Sequence, residues 1–411
     1  RPLRNLGGVS VVVAAYNEAA NIAATVTSLV RNDYPIVEVI VVDDGSTDGT
    51  AAIVRSLRLR NVRVISQRNT GKPGALNTGI AAARYDILVL VDGDTVFAPR
   101  AIGRLVQPLA DVRVGAVSGN TKVANRRGVL GRWQHIEYVI GFNLDRRMFD
   151  VASCMPTVPG AIGAFRRHAI TDVGGLSNQT LAEDTDLTMA VCRAGWRVVY
   201  RPDAVAFTEV PSSLRQLWRQ RYRWCYGTLQ AMWKHRRAVT QRGTAGHFGR
   251  RGLTYLLLFQ VILPLAAPAV DVYAIYGALF LPWIQVCAVW FGFLALQAVT
   301  AAYAFRLDGE SRHSLWVLPL QQIVYRQLMY LVVVQSVVMA LIGGRLRWHR
   351  MHRTGAVSTL TVRSPAPRVP STRPGPPPSR VPSTRPGPPP SRVTSARTAP
   401  GRAGHTDARR R

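Results

Sequence analysis

Five short runs carry side chains that can do chemistry together. Asp92-Gly93-Asp94 sets two carboxylates one residue apart, directly after an apolar run. Such a pair can hold a divalent cation through oxygen ligands, with phosphate oxygens completing the shell. The cation would neutralise a diphosphate leaving group as charge develops on it. Taken alone, the pair is equally a solvated turn. Glu183-Asp184 offers a carboxylate able to take a proton from an attacking hydroxyl; acids there also suit the first turn of a helix. Asp43-Asp44-Gly45-Ser46 could accept hydrogen bonds from a base N–H or a ribose hydroxyl, and buried acceptors of that kind give base specificity. Helix capping, with Ser46 or Thr47 starting a helix and Asp48 in its first turn, explains Ser46 and Asp48 but not the two leading acids. Lys72 closes the flexible Asn69-Thr70-Gly71 loop and could meet phosphate as a point charge; a solvated lysine is the simpler reading. Gln220, Arg223 and Trp224 fall at i, i+3 and i+4, on one helical face. Arg223 has the planar fork for a diphosphate and Trp224 a flat apolar face for a ring. An amphipathic interface helix explains that composition, but not Gln220 at its offset.

These residues need a frame. Val9–Ala14, Val37–Val42 and Ile87–Val91 are short continuous apolar runs, as expected of parallel strands buried on both faces. Asn21–Arg31 and Thr50–Leu57 read as helices between them. Residues 1–235 therefore form an α/β domain. The acids follow the carboxyl ends of strands, where open α/β sheets bind ligands.

From residue 211 the character changes. Leu214, Leu217, Trp218, Tyr222, Cys225 and Leu229 recur at helical spacing among Arg and Gln, so about 211–235 reads as an amphipathic helix in the membrane interface. A basic stretch follows, then Leu253–Phe305 and Leu318–Gly344 are almost wholly apolar. A span needs about twenty such residues. The first block holds two spans, broken near Asp271 or Leu281-Pro282, and the second holds one, with Arg326 inside it. Three crossings would set the basic Arg345–Arg353 segment outside, against the positive-inside rule. One segment is therefore a candidate for an interfacial or re-entrant path, marked by Asp271 and Arg326. The transmembrane region is 253–344. Residues 355–411 are a Pro/Arg-rich tail containing RVPSTRPGPPPS twice, a composition that cannot pack a core and is expected to be disordered.

The net charge of +29, from 52 Lys+Arg against 23 Asp+Glu, admits a nucleic-acid reading. Much of it lies in the tail and beside apolar segments, so a lipid bilayer is the expected partner and no nucleic acid is expected. A basic binding protein would explain the charge but neither the placed carboxylates nor the apolar blocks. Cys154, Cys192, Cys225 and Cys287 have no metal spacing and read as buried thiols in a reducing compartment. The chain starts at Arg1, close to a strand, so an upstream segment is expected to have been removed.

In motif order and membrane layout, residues 8–350 resemble the processive family-2 glycosyltransferases, the membrane synthases of poly-N-acetylglucosamine, hyaluronan, chitin and cellulose. Tyr16, Asn17 and Glu18 with Asp43 and Asp44 look like that family's uridine-binding elements, Lys72 like its diphosphate-loop lysine, and Asp92 and Asp94 like its metal and diphosphate motif. Gly160–Arg166 resembles the segment lining the acceptor channel. Glu183-Asp184 is similar to its T-E-D motif, with Ala182 in place of threonine, which implies Asp184 as base. Gln220–Trp224 matches the processivity motif, implying Gln220 and Arg223 at the donor and Trp224 at the acceptor. The resemblance implies a GT-A fold followed by α-helical transmembrane segments, inversion, a UDP-sugar donor, a growing polysaccharide acceptor and Mg²⁺ or Mn²⁺. It also implies a multi-pass protein of the plasma membrane with a cytoplasmic catalytic domain.

Tyr222–Gly227 with Trp348–Gly355 looks nearest to bacterial poly-N-acetylglucosamine synthases. Some of these carry an upstream polysaccharide deacetylase, with which the abrupt start is compatible. The same donor site would also serve a distributive transferase that adds one sugar to a lipid carrier.

Overall fold

The computed structural model describes residues 6–343 and Gly355. The tail, the basic Arg345–Arg353 segment and all but the last residue of Trp348–Gly355 lie outside the described residues.

Eight strands form one sheet in the order β3-β2-β1-β4-β7-β6-β8-β5. They are β1 Val9–Ala15, β2 Val37–Asp43, β3 Val62–Ser66, β4 Ile87–Asp92, β5 Thr95–Phe97, β6 Val114–Val123, β7 Gly163–Arg166 and β8 Arg197–Thr208. The three apolar runs are the parallel strands β1, β2 and β4, and β3 continues them. The sheet turns antiparallel at β7, so it is mixed rather than wholly parallel.

Why these runs lack alternation is visible in the packing. Val9, Val11 and Val13 face one side with Ile22, Val26 and Leu29 of α1 (Ile22–Val30). Val12 faces the other side with Leu76 and Ile80 of α3 (Lys72–Ala82). Both faces are covered, so the interior positions are apolar apart from Ser10 and Glu38, which satisfy each other through a 2.6 Å hydrogen bond. The short α2 (Thr50–Ser56) joins β2 to β3. Helix α3 lies unusually close to the sheet: a Cβ on Gly79 would stand 2.2 Å from Val12 Cγ1 and 3.1 Å from Val42 Cγ2. That approach fixes the position of Lys72, the first residue of α3.

Beyond β6, helix α4 (Gly128–Glu137) runs through a π-helical turn, Tyr138–Leu144, into Asp145–Val151. Helix α5 is Glu183–Arg193 and α6 is Leu214–His235, the latter where an interface helix was expected.

Among the described residues, three helices are long and apolar enough to cross a membrane: Gly243–Phe280, Trp283–Leu307 and Arg312–Ile342. The break in the first apolar block falls at Leu281-Pro282. Asp271 lies within a continuous helix instead, paired with Arg326 of the third helix. The loop after the second helix returns to the sheet domain. Asp308 accepts from Asn120 Nδ2 at 2.7 Å and Asn143 Nδ2 at 3.2 Å, and Glu310 pairs with Lys122 at 2.7 Å and Arg126 at 2.6 Å. Of the four cysteines, all free thiols, Cys154 and Cys192 are buried, whereas Cys225 and Cys287 are only partly so; the last two lie on α6 and the second apolar helix, which keep one side open.

Gly79→Ala is expected to lower stability despite alanine's better helix propensity of about 1 kcal/mol. The new methyl meets a valine on a rigid strand, and overpacking of that kind costs about 1–3 kcal/mol. A lowered Tm of the detergent-solubilised protein checks this; an unchanged or raised Tm would mean that α3 moves freely on the sheet.

Candidate active site

The carboxyl edge of β1, β2 and β4 gathers the acids by register alone. Ala15 pairs with Asp43 and Ala14 with Asp92, so the two acids stand one residue apart in register at the same edge. The loops after β1 and β2 are bound to each other. Asn17 N–H donates to Ser46 Oγ at 2.8 Å, Thr47 N–H donates to Asn17 Oδ1 at 2.6 Å, and Glu18 N–H donates to Thr50 Oγ1 at 2.9 Å. Asn17 adopts a left-handed φ of +54° to do so. Ser46 and Thr47 therefore do not start a helix, as capping would have had it. Helix α2 begins at Thr50, and Asp48 precedes it, accepting the Thr50 N–H at 3.1 Å. Tyr16, partly buried, opens this loop.

Asp43 and Asp44 are both buried, at 5% and 3% exposure. Asp43 accepts from Ser46 N–H at 3.3 Å. Asp44 Oδ1 accepts from Gln67 Nε2 at 2.8 Å and Thr70 N–H at 2.9 Å, and its Oδ2 accepts from Gly71 N–H at 2.9 Å. Both oxygens of Asp44, one of the donor-binding candidates, thus accept from the loop that ends in Lys72.

Lys72 is not a solvated lysine. Its Nζ lies 2.7 Å from Asp92 Oδ1 and 2.6 Å from Glu183 Oε1. Burial works against the ammonium charge, but Asp92, Glu183 and Asp184 outweigh it and hold its pKa well above the ordinary lysine value. Gly160 closes the group. A Cβ there would lie 2.4 Å from Lys72 Nζ and 3.3 Å from Asp92 Oδ1, and its N–H donates to Asp184 Oδ2 at 3.1 Å. Asp184 Oδ1 accepts the Thr185 N–H at 2.8 Å. Glu183 and Asp184 are the first residues of α5, as the helix-terminus reading expects. Burial raises the Asp184 pKa and the Glu183 charge adds to it, against Lys72 and the two backbone N–H donors.

Asp94 is 2% exposed, and a Cβ on Gly93 would stand 2.9 Å from Glu18 Cγ, so Glu18 borders the acidic turn. Among the described residues no set of three or more His, Cys, Asp or Glu forms a ready metal cage. Two carboxylates on one turn fit a Mg²⁺ or Mn²⁺ ion whose remaining ligands come from substrate phosphate and water.

Helix α6 seats against this group. A Cβ on Gly227 would lie 2.6 Å from Ala182 N, and Gln230 Oε1 accepts the Leu181 N–H at 2.9 Å. Gln220, Arg223 and Trp224 thus sit one to two turns before the contact with Leu181-Ala182. The residue that organises them is one the sequence reading passed over. Arg221, 5% exposed, makes a bidentate pair with Glu137, at 2.9 Å to Oε1 and 2.5 Å to Oε2. It also donates to Gln220 Oε1 and lies 4.4 Å over the Trp224 ring. One face of Trp224 is therefore covered by a guanidinium, and Phe142 meets its edge at 5.9 Å. Arg146, in the field of Asp184 and of Tyr138, was passed over too. Glu137 and Arg221 are 84 residues apart, with no local spacing to signal the pair. Arg146 belongs to no run with chemistry of its own.

Residues 7–227 match the family model described as "Glycosyltransferase like family 2". The match covers more than half of the chain, and the chain belongs to that family. Poly-β-1,6-N-acetyl-D-glucosamine synthase of Staphylococcus aureus is 30% identical over 261 residues, 63% of this chain and 62% of that protein. The enzyme of that name from Staphylococcus epidermidis is 31% identical over 223 residues, 54% of each chain. The chain therefore spans less than two thirds of the length of these relatives. Among solved structures, the mannosyltransferase PcManGT from Pyrobaculum calidifontis, in complex with GDP-Man and Mn²⁺, superposes with a TM-score of 0.58 at 24% identity, covering 82% of this chain and 88% of that one. The fold is GT-A-like, a mixed sheet with helices, followed by three apolar helices able to span a membrane.

Two outcomes follow from this geometry. Arg221→Met leaves Glu137 buried without its cation and is expected to cost about 3–5 kcal/mol; Tm should fall sharply, and Glu137→Gln in the same chain should restore part of it. A base must be deprotonated, so activity is expected to fall as pH drops through a pKa raised above the ordinary aspartate value of about 3.9. Lys72→Met removes the charge that pulls Asp184 down. The acid limb of its kcat–pH profile should therefore move to higher pH; a shift to lower pH would rule out Asp184 as the titrating group.

Proposed function

We propose that this family-2 glycosyltransferase is an inverting, processive enzyme that polymerises a sugar from a UDP-sugar donor into a β-linked polysaccharide at the plasma membrane. The observation that carries this reading is the compact group formed by Lys72, Asp92, Gly160, Glu183 and Asp184. It sets a cation for a diphosphate and a carboxylate for a proton side by side at the carboxyl edge of the sheet. The donor sugar we propose is N-acetylglucosamine, the sugar in the names of the staphylococcal relatives.

In this reading Asp43, with Tyr16, Asn17 and Glu18, receives the nucleoside, and Asp44 fixes the lysine loop. Lys72 is held at the β-phosphate level by its two carboxylates, with Gln220 and Arg223 approaching from α6. Asp92 and Asp94 would hold Mg²⁺ or Mn²⁺, which when bound neutralises charge on the diphosphate. An acceptor hydroxyl approaches past Gly160, where no side chain intervenes, and past Trp224. Asp184 takes its proton as the oxygen bonds to the anomeric carbon and the bond from that carbon to UDP breaks. Glu183 keeps Lys72 in place. Gly160 N–H and Thr185 N–H hold the Asp184 carboxylate in orientation, so that little reorganisation accompanies transfer.

The proposed organisation is a catalytic domain over 1–235 that faces the cytoplasm, a membrane region over 253–344 and a Pro/Arg-rich tail over 355–411. Seating of α6 directly on Leu181-Ala182 supports processivity, because Trp224 lies about one turn before that contact on the same helix.

The test offers UDP-N-acetylglucosamine, UDP-glucose and UDP-glucuronic acid separately to the solubilised protein with Mg²⁺ or Mn²⁺. UDP release and product size are read together. A long-polymer ladder with one donor is expected, and single additions to lipid would instead assign a distributive transferase. Asp184→Asn should abolish UDP release while UDP affinity stays close to wild type. Loss of that affinity would remove Asp184 from the role of base.

A further inference from the structure

The three apolar helices meet one length criterion, yet they leave the catalytic domain differently. The first is anchored through Leu253 and Leu256, both in the domain core. From Ile262 to Phe280 it carries exposed apolar side chains, with Val272 at 67% and Leu279 at 71% exposure. That stretch is roughly 28 Å long at 1.5 Å per residue, the depth of a bilayer's hydrocarbon core. The second helix is open from Trp283 and becomes buried only at Ala301, Ala304 and Phe305, roughly 27 Å later. Asp308 then binds Asn120 and Asn143. These two helices go out and come back.

The third helix stays on the domain, and its Arg326 side chain reaches across to Asp271 on the first. Trp133 Nε1 donates to Val317 O at 3.2 Å, Tyr325 Oη donates to Glu137 Oε2 at 2.7 Å, and Trp218 Nε1 donates to Gln335 Oε1 at 2.8 Å. Leu318, Tyr325, Val332 and Ser336 make one continuous buried stripe, at helical spacing. The opposite stripe, with Leu320, Ile323, Leu331 and Leu341, is apolar and exposed. Only about 9 Å of helix remains between Ser336 and Ile342, against the ~30 Å of a crossing.

We propose that only the first two apolar helices cross the membrane, and that the third lies along the catalytic domain in the interfacial layer with its outer face on acyl chains. The described residues then make two crossings, and Leu6 and Gly355 both lie on the side of the catalytic domain. Two exposed tryptophans mark the headgroup level on that side. Trp316 is 63% exposed with Arg132 5.1 Å over its ring, and Trp233 is 69% exposed with Arg236 at 4.1 Å, the aromatic–basic pairing that interfaces favour. Trp283, 73% exposed, stands at the far turn. After the third helix, Gly355 N–H donates to Glu209 Oε2 of the catalytic domain at 3.2 Å. Gly355 therefore lies on the side of the catalytic domain. This assignment is independent of the donor and of the product.

The test uses the full chain in a bacterial inner membrane, with green fluorescent protein or alkaline phosphatase fused before Arg1 or after Arg411. Both ends are expected to report the same compartment, fluorescent and without phosphatase activity. Fluorescence before Arg1 with active phosphatase after Arg411 would overturn the proposal. As a second reading free of fusions, Arg312→Cys and Arg345→Cys are introduced singly into a variant whose four native cysteines are replaced and whose turnover is retained. A membrane-impermeant maleimide should modify both from the same face of sealed vesicles. Modification from opposite faces would mean that the third helix crosses.

Discussion

The bridge made by Lys72 between Asp92 and Glu183 is the contact on which the rest of the site depends. It ties together the start of α3, the end of β4 and the start of α5, three elements distant in sequence. Two carboxylates at 2.7 and 2.6 Å from one ammonium would repel each other strongly if it were absent. The surrounding structure can be understood as support for that cation. Asp44 anchors its loop, Gly79 lets its helix close on the sheet, and Gly160 leaves room for its Nζ. Asp184 stands next to the bridge without taking part in it, which leaves its carboxylate to the N–H groups of Gly160 and Thr185.

Much of this was legible before any coordinates. Continuous valine runs could only be strands covered on both faces, and acids placed just after them had to gather at one edge. The family motifs, the position of α6 and the apolar blocks followed from spacing. What was not legible depended on contacts between distant segments. Nothing near Asp44 says that its oxygens accept from residues 67–71, because those partners are brought by a loop that folds back from β3. Ser46 looked like a cap because capping is a local pattern, whereas its partner, Asn17, arrives from another strand. Arg221 was read as filler between two motif positions, yet its buried pairing with Glu137 decides how Gln220 and Trp224 are presented.

The membrane-facing half shows a different limit. Hydropathy measures whether a helix could cross, not whether something already covers one of its sides. The third apolar helix passes that measure, yet carries Tyr325, Gln335 and Ser336 toward polar partners on the domain. Polar residues on one face of a hydrophobic helix were the available sign. Arg326 drew attention because of its charge, and its partner turned out to be Asp271 on the neighbouring helix.

The clasp between β6 and the loop after the second apolar helix has a consequence in time. Lys122 and Arg126 find their carboxylate, Glu310, 188 and 184 residues further along the chain, and Asn120 finds Asp308 at a separation of 188. At a synthesis rate of about 5–20 residues per second, roughly 10–40 s separate the birth of that strand from the birth of its partners. Throughout that interval the emerging domain carries two cations whose acidic partner is still to be made. Strand β6, which lies in the middle of the second half of the sheet, therefore reaches its final electrostatic state only after both apolar helices that precede Asp308 have been made. The sheet and those helices mature as one unit, and the ribosome finishes the second before the first is complete.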